Sequence, residues 1–330
     1  MTRRTEREPA PGVAAGVVLS RHVAAYGFAN VLSACLALVN AIVLTRLLEP
    51  GEYGTVGLAM VSASFVTLAL NAPIASAAFA RSFGGTDEGD DDEEVRGVKK
   101  LSGEEARRSF GSALSATAGA GLALAVLVGA GALLAFGTRE LTAVVALATV
   151  SGALGSLWRL LSTVPRLRRR PRLYVGLSTL RPLLVLGASV ILVTSGAGAL
   201  GAVAGVAIGS LGAVAVAGLV SRDVFTRAFD GGEVRWMMRK SRRYFPLIAG
   251  FWLILSADLY LVAAFASAAQ VGEYRLASRL GAVAAYGASA VTSAWNPLEN
   301  SSAFRAADKV HGRDVVRGQL LFFFLLFVLF

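Results

Sequence analysis

Residues 182–220 have the sequence PLLVLGASVILVTSGAGALGAVAGVAIGSLGAVAVAGLV and contain no charged side chain. A second uncharged stretch extends from residue 111 to residue 137. A helix needs about 20 apolar residues to cross a hydrocarbon core roughly 30 Å thick. Because these runs are continuously apolar and do not alternate with polar residues, helices are favoured over barrel strands. The sequence therefore predicts an all-α polytopic membrane protein.

The composition of the whole chain supports the same class. Of its 330 residues 55% are hydrophobic and only 16% are charged, and its mean hydropathy is +0.61. A soluble domain has about 25% charged residues. The 36 glycines fit a membrane protein, in which small residues let helices approach closely. Gly201, Gly205 and Gly209 recur at four-residue spacing, which predicts a packing face on one helix.

Nine apolar segments are long or apolar enough to be considered as spans. They cover residues 22–45, 54–80, 109–136, 140–160, 173–195, 198–220, 245–268, 272–298 and 318–330. The expected organisation is a cytoplasmic tail, a first six-helix bundle, a basic cytoplasmic linker and the start of a second bundle. These parts cover residues 1–21, 22–220, 221–244 and 245–330.

Positive charge is concentrated in alternate connections between the segments. Of the 32 Lys and Arg residues, 27 lie in residues 1–21, 81–108, 159–172, 221–243 and 299–317. Cytoplasmic loops of membrane proteins retain Lys and Arg. This pattern predicts a multi-pass plasma-membrane protein with a cytoplasmic N-terminus. It also explains the net charge of +10 without nucleic acid, and it brings the arginines of residues 166–172 to anionic lipid headgroups.

The chemistry-bearing residue types do not form the patterns that catalysis or metal binding requires. The chain has one cysteine, Cys35, and two histidines at positions without metal-ligand spacing. No Ser-His-Asp or nucleotide-binding motif is present. A glycan polymerase or ligase would need a long polar external loop, and every external connection is short. The sequence therefore favours a transporter over an enzyme, with no cofactor or metal, and leaves coupling to a proton or sodium ion open.

An internal repeat gives the clearest sign of architecture. The triplet Gly-Glu-Tyr occurs at residues 51–53 and again at 272–274, each time between two apolar segments. The second and eighth segments also each carry a proline, Pro73 and Pro297. Six spans separate the copies, so both have the same orientation. This predicts parallel repeats related by an axis along the membrane normal.

The repeat also predicts how much of the second bundle is present. A second half built like the first needs six spans, but only three follow residue 244. The last apolar run, residues 319–330, is about 18 Å long as a helix and is too short to cross. We therefore expect the second bundle to be truncated, either in nature or because the sequence is a fragment.

Particular residues resemble a known family. Residues 44–54, LTRLLEPGEYG, resemble the first external turn of polysaccharide-biosynthesis (O-antigen) flippases, within the multidrug/oligosaccharidyl-lipid/polysaccharide exporter superfamily. Residues 243–247, RYFPL, resemble the start of the seventh helix in that family. Asp258 and residues 271–274 match a second recurrent stretch. Many members carry an arginine directly after this aspartate, whereas Leu259 follows it here.

The resemblance implies two six-helix bundles around a cavity that opens alternately to each side. It implies a flippase for lipopolysaccharide or exopolysaccharide export, with a polyprenyl-pyrophosphate-linked oligosaccharide as substrate and a glycan polymerase of the same pathway as a partner. A peptidoglycan-precursor flippase and a cation-coupled drug exporter of the same superfamily are the alternatives. The absence of Asp and Glu in the middle of the first six spans disfavours a drug exporter.

Ionisable residues within spans are costly and are candidates for function. Arg275 and Arg279 are four residues apart and share one face of the eighth span, where they could hold phosphate or extend outward to the interface. Asp258, in the middle of the seventh span, could take up an ion, meet an arginine, or form a static pair or hydrogen bond. Arg46 is interpreted as a transport candidate or an interfacial anchor, and Arg181 as a residue that extends to the cytoplasmic boundary.

The remaining candidates are prolines and aromatic residues. Pro73 and Pro297 remove backbone hydrogen bonds and can kink their helices, which would suit bundles that rock against each other. A passive kink is the simpler alternative. Trp295 and Tyr286 could stack on sugar rings or pack within the bundle.

Overall fold

A computed structural model describes residues 11–83, 103–136, 139–167, 170–222, 229–242, 245–279 and 281. Every regular element within these residues is helical, and no strand occurs among them. The predicted all-α class is therefore confirmed. The expected segment of residues 318–330 and most of the segment of residues 272–298 lie outside the described residues.

Within the described residues, nine helices can be numbered in chain order. They are α1 (Pro11–Leu47), α2 (Pro50–Phe83), α3 (Gly103–Phe136), α4 (Arg139–Leu167), α5 (Pro171–Leu192), α6 (Gly198–Val220), α7 (Gly231–Ser241), α8 (Phe245–Phe265) and α9 (residues 268–279). Three of them begin at a proline, whose fixed φ and missing N–H suit the first helical position. Helix α1 begins within the segment that the sequence assigned to the N-terminal tail.

Six segments of the described chain are long and apolar enough to cross a membrane. They are Phe28–Leu47, Pro50–Asn71, Arg107–Leu134, Arg139–Pro165, Pro171–Val220 and Phe245–Phe265. The longest, Pro171–Val220, is not one helix. Its two halves, α5 and α6, are joined by a π-helical turn in which Gly196 and Gly198 adopt positive φ values of 91° and 50°.

The two halves of this segment pack against each other in opposite directions. A Cβ atom added at Gly205 would collide with the backbone of Ser189, and one at Gly209 would lie 2.5 Å from Cα of Val185. The contact moves backwards along α5 as it moves forwards along α6, so the segment is a helical hairpin. The predicted packing role of the glycine face on α6 is confirmed.

Helices α1 to α6 pack into one assembly. Helix α1 contacts α5, while α4 contacts α2, α3 and α6. A buried cluster that includes Leu44, Tyr53 and Val203 lies near the α1–α2 turn. A second buried cluster, which includes Phe110 and Leu161, lies towards the opposite end of the helices.

The expected linker of residues 221–244 contains the short helix α7, which the sequence analysis missed. Asp230 caps it by accepting hydrogen bonds from the N–H groups of Gly232 and Glu233. The Ser109 hydroxyl of α3 donates to Glu233 at 2.9 Å. Met237 is fully buried in the cluster around Phe110 and Leu161. The linker is therefore docked on α2 and α3 at the end of the helices remote from the α1–α2 turn.

Candidate functional site

The segments that begin α2 and α9, residues 49–54 and 267–274, each contain a Gly-Glu-Tyr triplet and are here called the Gly-Glu-Tyr turns. They lie in contact at one end of the molecule, here called the turn face. A Cβ atom on Gly54 would collide with the carbonyl oxygen of Ala268, and one on Gly272 would collide with the carbonyl oxygen of Pro50. Only glycine allows two backbones to approach so closely. The contact agrees with the expected placement of both repeat copies on the same side.

At the start of both helices, a backbone N–H donates to the side chain three residues later. The N–H of Glu49 donates to the Glu52 carboxylate at 3.1 Å, and the N–H of Ser267 donates to the Gln270 side chain at 2.9 Å. The second pair is a capping box, since the N–H of Gln270 also donates to the Ser267 hydroxyl at 3.4 Å, whereas the first pair forms only the carboxylate half of one. The Gly-Glu-Tyr triplet begins at the second residue of α2 and at the fifth residue of α9.

Arg275 and Arg279 lie where α9 packs against α2, just below the turn face. A Cβ atom on Gly57 would be 3.0 Å from Cγ of Arg275, so the glycine leaves room for the arginine side chain. Both arginines are half-buried, and both act electrostatically on the buried phenol of Tyr53. The structure thus places two cations beside Tyr53, which the sequence identified only as part of the repeat.

Asp258 faces the second repeat tyrosine. The Tyr274 hydroxyl donates to one carboxylate oxygen at 2.6 Å, and the N–H of Leu259 donates to the other at 2.8 Å. The hydrogen bond connects the middle of α8 to the start of α9. Among the roles considered from the sequence, the static hydrogen bond is the one present in this conformation.

The seam between α2 and α8 is lined by aromatic rings and hydroxyls. The Trp252 indole N–H donates to the Ser64 hydroxyl at 3.1 Å, and the hydroxyls of Tyr260 and Ser62 are hydrogen-bonded at 2.7 Å. The ring of Phe65 lies 4.7 Å from that of Trp252. Rings that present a face and hydroxyls that can exchange partners are groups able to contact a sugar.

Arg181 lies inside the assembly of α1 to α6 and not at its boundary. It is ten residues after Pro171 and eleven before Leu192, which places it about 15 Å from either end of α5. Tyr174 and Ser178 share its helix face and are buried, whereas Leu183 on the opposite face is exposed. The interpretation of Arg181 as a side chain that extends to the cytoplasmic boundary is therefore wrong.

The surroundings of Arg181 are polar and aromatic. Its guanidinium lies 5.2 Å from the centre of the Trp158 ring, and its Nε–H donates to the Ser210 hydroxyl at 3.4 Å. A Cβ atom on Gly155 would be 3.4 Å from Nη2. The nearby charge that acts on Arg181 belongs to a second cation, Arg159. Within the described ranges no carboxylate contacts it.

Further polar groups lie along the same part of α2 and α4. The Thr67 hydroxyl donates to the carbonyl of Gly152 at 2.9 Å, and the Asn71 amide donates to the carbonyl of Ser156 at 3.4 Å. Two buried side-chain groups, the Trp158 indole N–H and the Ser156 hydroxyl, have no hydrogen-bond partner among the described residues. This concentration of polar groups had no clear signal in the sequence.

The other candidates from the sequence are spread apart or lie outside the described residues. Arg46 is exposed at the end of α1. The backbone of α2 is helical through Pro73. Trp295, Pro297 and Tyr286 lie outside the described residues. Across the described ranges, no three His, Cys, Asp or Glu side chains are grouped to hold a metal ion.

Together, the six apolar segments and the polar groups between them define a helical membrane protein. No protein-family model matches the chain, and no curated protein matches it. A solved structure described only as "protein A" aligns with 96% of this chain and 71% of that chain, with a TM-score of 0.63 and 15% identity. This similarity shows the fold alone.

Proposed function

We propose that the chain forms part of a transporter that moves lipid-linked oligosaccharide units across the plasma membrane. In this proposal the assembly of α1 to α6 is one bundle, and α8 and α9 begin the second. The observation that carries it is the pair Arg275 and Arg279, held beside Tyr53 where the two parts meet. The proposed mechanism is alternating access, with no covalent bond made or broken.

The two arginines fit a cargo with an anionic head group. A pyrophosphate must leave water to cross roughly 30 Å of hydrocarbon, and cations along its route offset that loss. Arginine presents planar N–H groups that match phosphate oxygens in pairs. Since Arg275 and Arg279 are one helical turn apart, both can face the same anion. Cations at this position also argue against a cationic drug as cargo.

The seam between α2 and α8 fits the saccharide part of the cargo. Trp252 and Tyr260 offer ring faces, while Ser62 and Ser64 offer hydroxyls. These hydroxyls are now paired with the aromatic side chains across the seam. When the two parts separate, the same groups become available to sugar hydroxyls, so a sugar can replace the lost contacts.

The proposal also assigns the orientation of the protein in the membrane. Positively charged connections favour the cytoplasmic side, and the basic helix α7 lies at the end remote from the turn face. We therefore place the turn face outside and the N-terminus inside. The closed contact at the turn face then corresponds to a state that is shut towards the exterior.

Deletion of the gene tests the proposal directly. The expected result is accumulation of lipid-linked oligosaccharide on the cytoplasmic face and loss of surface polysaccharide, both restored by a plasmid copy. The lipid-linked peptidoglycan precursor is measured in the same extracts. Accumulation of that precursor alone would transfer the assignment to a peptidoglycan-precursor flippase, and unchanged levels of both lipids would contradict the proposal.

A further inference from the structure

Arg181 marks a second cationic centre, separate from Arg275 and Arg279. It lies within α1 to α6 and faces α4 and α6, at about the middle of α5. An arginine at the centre of a membrane helix is costly to insert. Because Arg181 carries this cost and faces the other helices, it is a candidate for a functional role.

The hydrogen-bonding capacity of Arg181 exceeds what the protein supplies. A guanidinium has five N–H donors. The described residues provide one long hydrogen bond, to Ser210, and the face of the Trp158 ring. The cation–π contact offsets part of the charge but accepts none of the in-plane N–H groups. Several donors are thus left for another partner.

The neighbouring Trp158 adds a further donor, since its indole N–H is buried without a described partner. Gly155, which has no side chain, lets the Thr67 hydroxyl and Nη2 of Arg181 come close to the backbone of α4. Arg181 itself is only half-buried, so part of its surface can be reached. The missing partner is therefore an anion with several oxygen atoms.

We propose that Arg181 and Trp158 form a phosphoryl-binding site within the first six helices. Arginine matches the paired oxygens of a phosphoryl group better than a compact cation does. This inference rests on the proposed function for its natural ligand, the pyrophosphate of the lipid-linked cargo. The same chemistry also accommodates free pyrophosphate, so the source of the phosphoryl group is determined by experiment.

Trp158 is a built-in reporter for this site. The chain has four tryptophans, and the variant W236F/W252F/W295F leaves Trp158 as the only one. The purified full chain in detergent is titrated with inorganic pyrophosphate, with farnesyl pyrophosphate and with farnesol, while tryptophan fluorescence is recorded. We expect a saturable change with farnesyl pyrophosphate and none with farnesol.

The two phosphoryl probes distinguish the sources of the ligand. A response to farnesyl pyrophosphate alone supports a site for lipid-linked phosphoryl groups. A response to both pyrophosphates supports a site for the anion itself. No response to either pyrophosphate, or an equal response to farnesol, would overturn the proposal.

Substitutions locate the response at Arg181. Arg181→Gln removes the charge at similar length, and we expect binding at least about tenfold weaker because hydrogen bonds to a charged group are lost. Arg170→Gln, at an exposed arginine just before α5, is the matched control and should bind like the parent. Equal affinity of the Arg181→Gln variant and the parent would contradict the site.

Two further measurements keep the test informative. Arg181→Lys keeps the charge but loses the planar arrangement of N–H donors. It replaces Arg181→Gln if size-exclusion chromatography shows that the Gln variant does not fold. Parental affinity in a folded Lys variant would also contradict the site.

The proposed function and this site can fail separately. Normal lipid-linked sugars after gene deletion, with pyrophosphate binding intact, would remove the function and keep the site. Normal export by the Arg181→Gln variant, in a strain that needs the protein, would remove the site from the transport path and keep the proposed function.

Discussion

Arg275 and Arg279 are separated by one helical turn and lie on the same face of α9. Gly57 provides the space for Arg275, and Tyr53 lies close enough for both cations to act on it. In the repeat, the positions that correspond to these arginines are Gly54 and Leu58. The charge is therefore present in only one copy, as expected if it serves the proposed cargo and not the packing that both copies share.

The sequence could identify some of these residues but not their surroundings. Arg275, Arg279 and Asp258 were found because charged side chains within apolar segments are rare. Arg181 was placed at the boundary although buried Tyr174, Ser178 and Ser189 form a polar stripe with it on one face of α5, a signal that the sequence contained. Which side chains face Arg181 depends on how α4 and α6 pack around it. That packing is set by contacts between small residues far apart in the chain.

Substitution of Arg279 tests its role in the cargo path. Arg279→Gln should lower export at least about tenfold, because one of two adjacent cations is removed from the anion's route. Arg46→Gln, at an exposed arginine near the same face, should leave export within about twofold of the parent. Surface polysaccharide in a complemented deletion strain is measured, with protein abundance in the membrane as the reference. Full export by the Arg279→Gln variant would exclude this residue from the path.

At the scale of elements, the hairpin of α5 and α6 shows what small residues do in this protein. Gly205 and Gly209 let the two backbones meet, and Gly196 and Gly198 reverse the chain between them. The spacing of the glycines on α6 predicted a packing face from sequence alone. The partner of that face was not predictable, since an apolar helix can pack against any neighbour. Helix α7 was missed because its short amphipathic pattern is hidden among basic residues.

The close approach of α5 and α6 predicts a large difference between two glycine substitutions in the same hairpin. Gly205→Leu places a bulky side chain against the Ser189 backbone, whereas Gly187→Leu places it where nothing lies within 4 Å. Overpacking of this kind costs about 1–3 kcal/mol or more. We expect a clearly lower melting temperature in detergent for Gly205→Leu and little change for Gly187→Leu. Equal melting temperatures of the two variants would mean that the hairpin contact is not as close as described.

At the scale of the whole molecule, the contact between the two Gly-Glu-Tyr turns connects the fold to the proposed cycle. The repeat predicted that both turns lie on one side, because an even number of expected spans, six, separates the two copies. That the turns touch was not predictable, because it depends on how the two parts lean towards each other. If the parts rock, this contact must open once in each cycle to release cargo at the turn face.

A disulfide across the turn face tests this requirement. The Cβ of Ala268 lies 3.8 Å from a Cβ placed on Gly51, within the usual range for a disulfide of about 3.5–4.5 Å. In a Cys35→Ser background, the pair Gly51→Cys and Ala268→Cys should cross-link on oxidation and stop export, and reductant should restore it. The control pair Gly129→Cys and Ala146→Cys has a similar Cβ separation of 3.5 Å but joins α3 to α4 within one bundle. Oxidation of the control should leave export unchanged. Continued export with the turn face fully cross-linked would show that cargo does not leave between these turns.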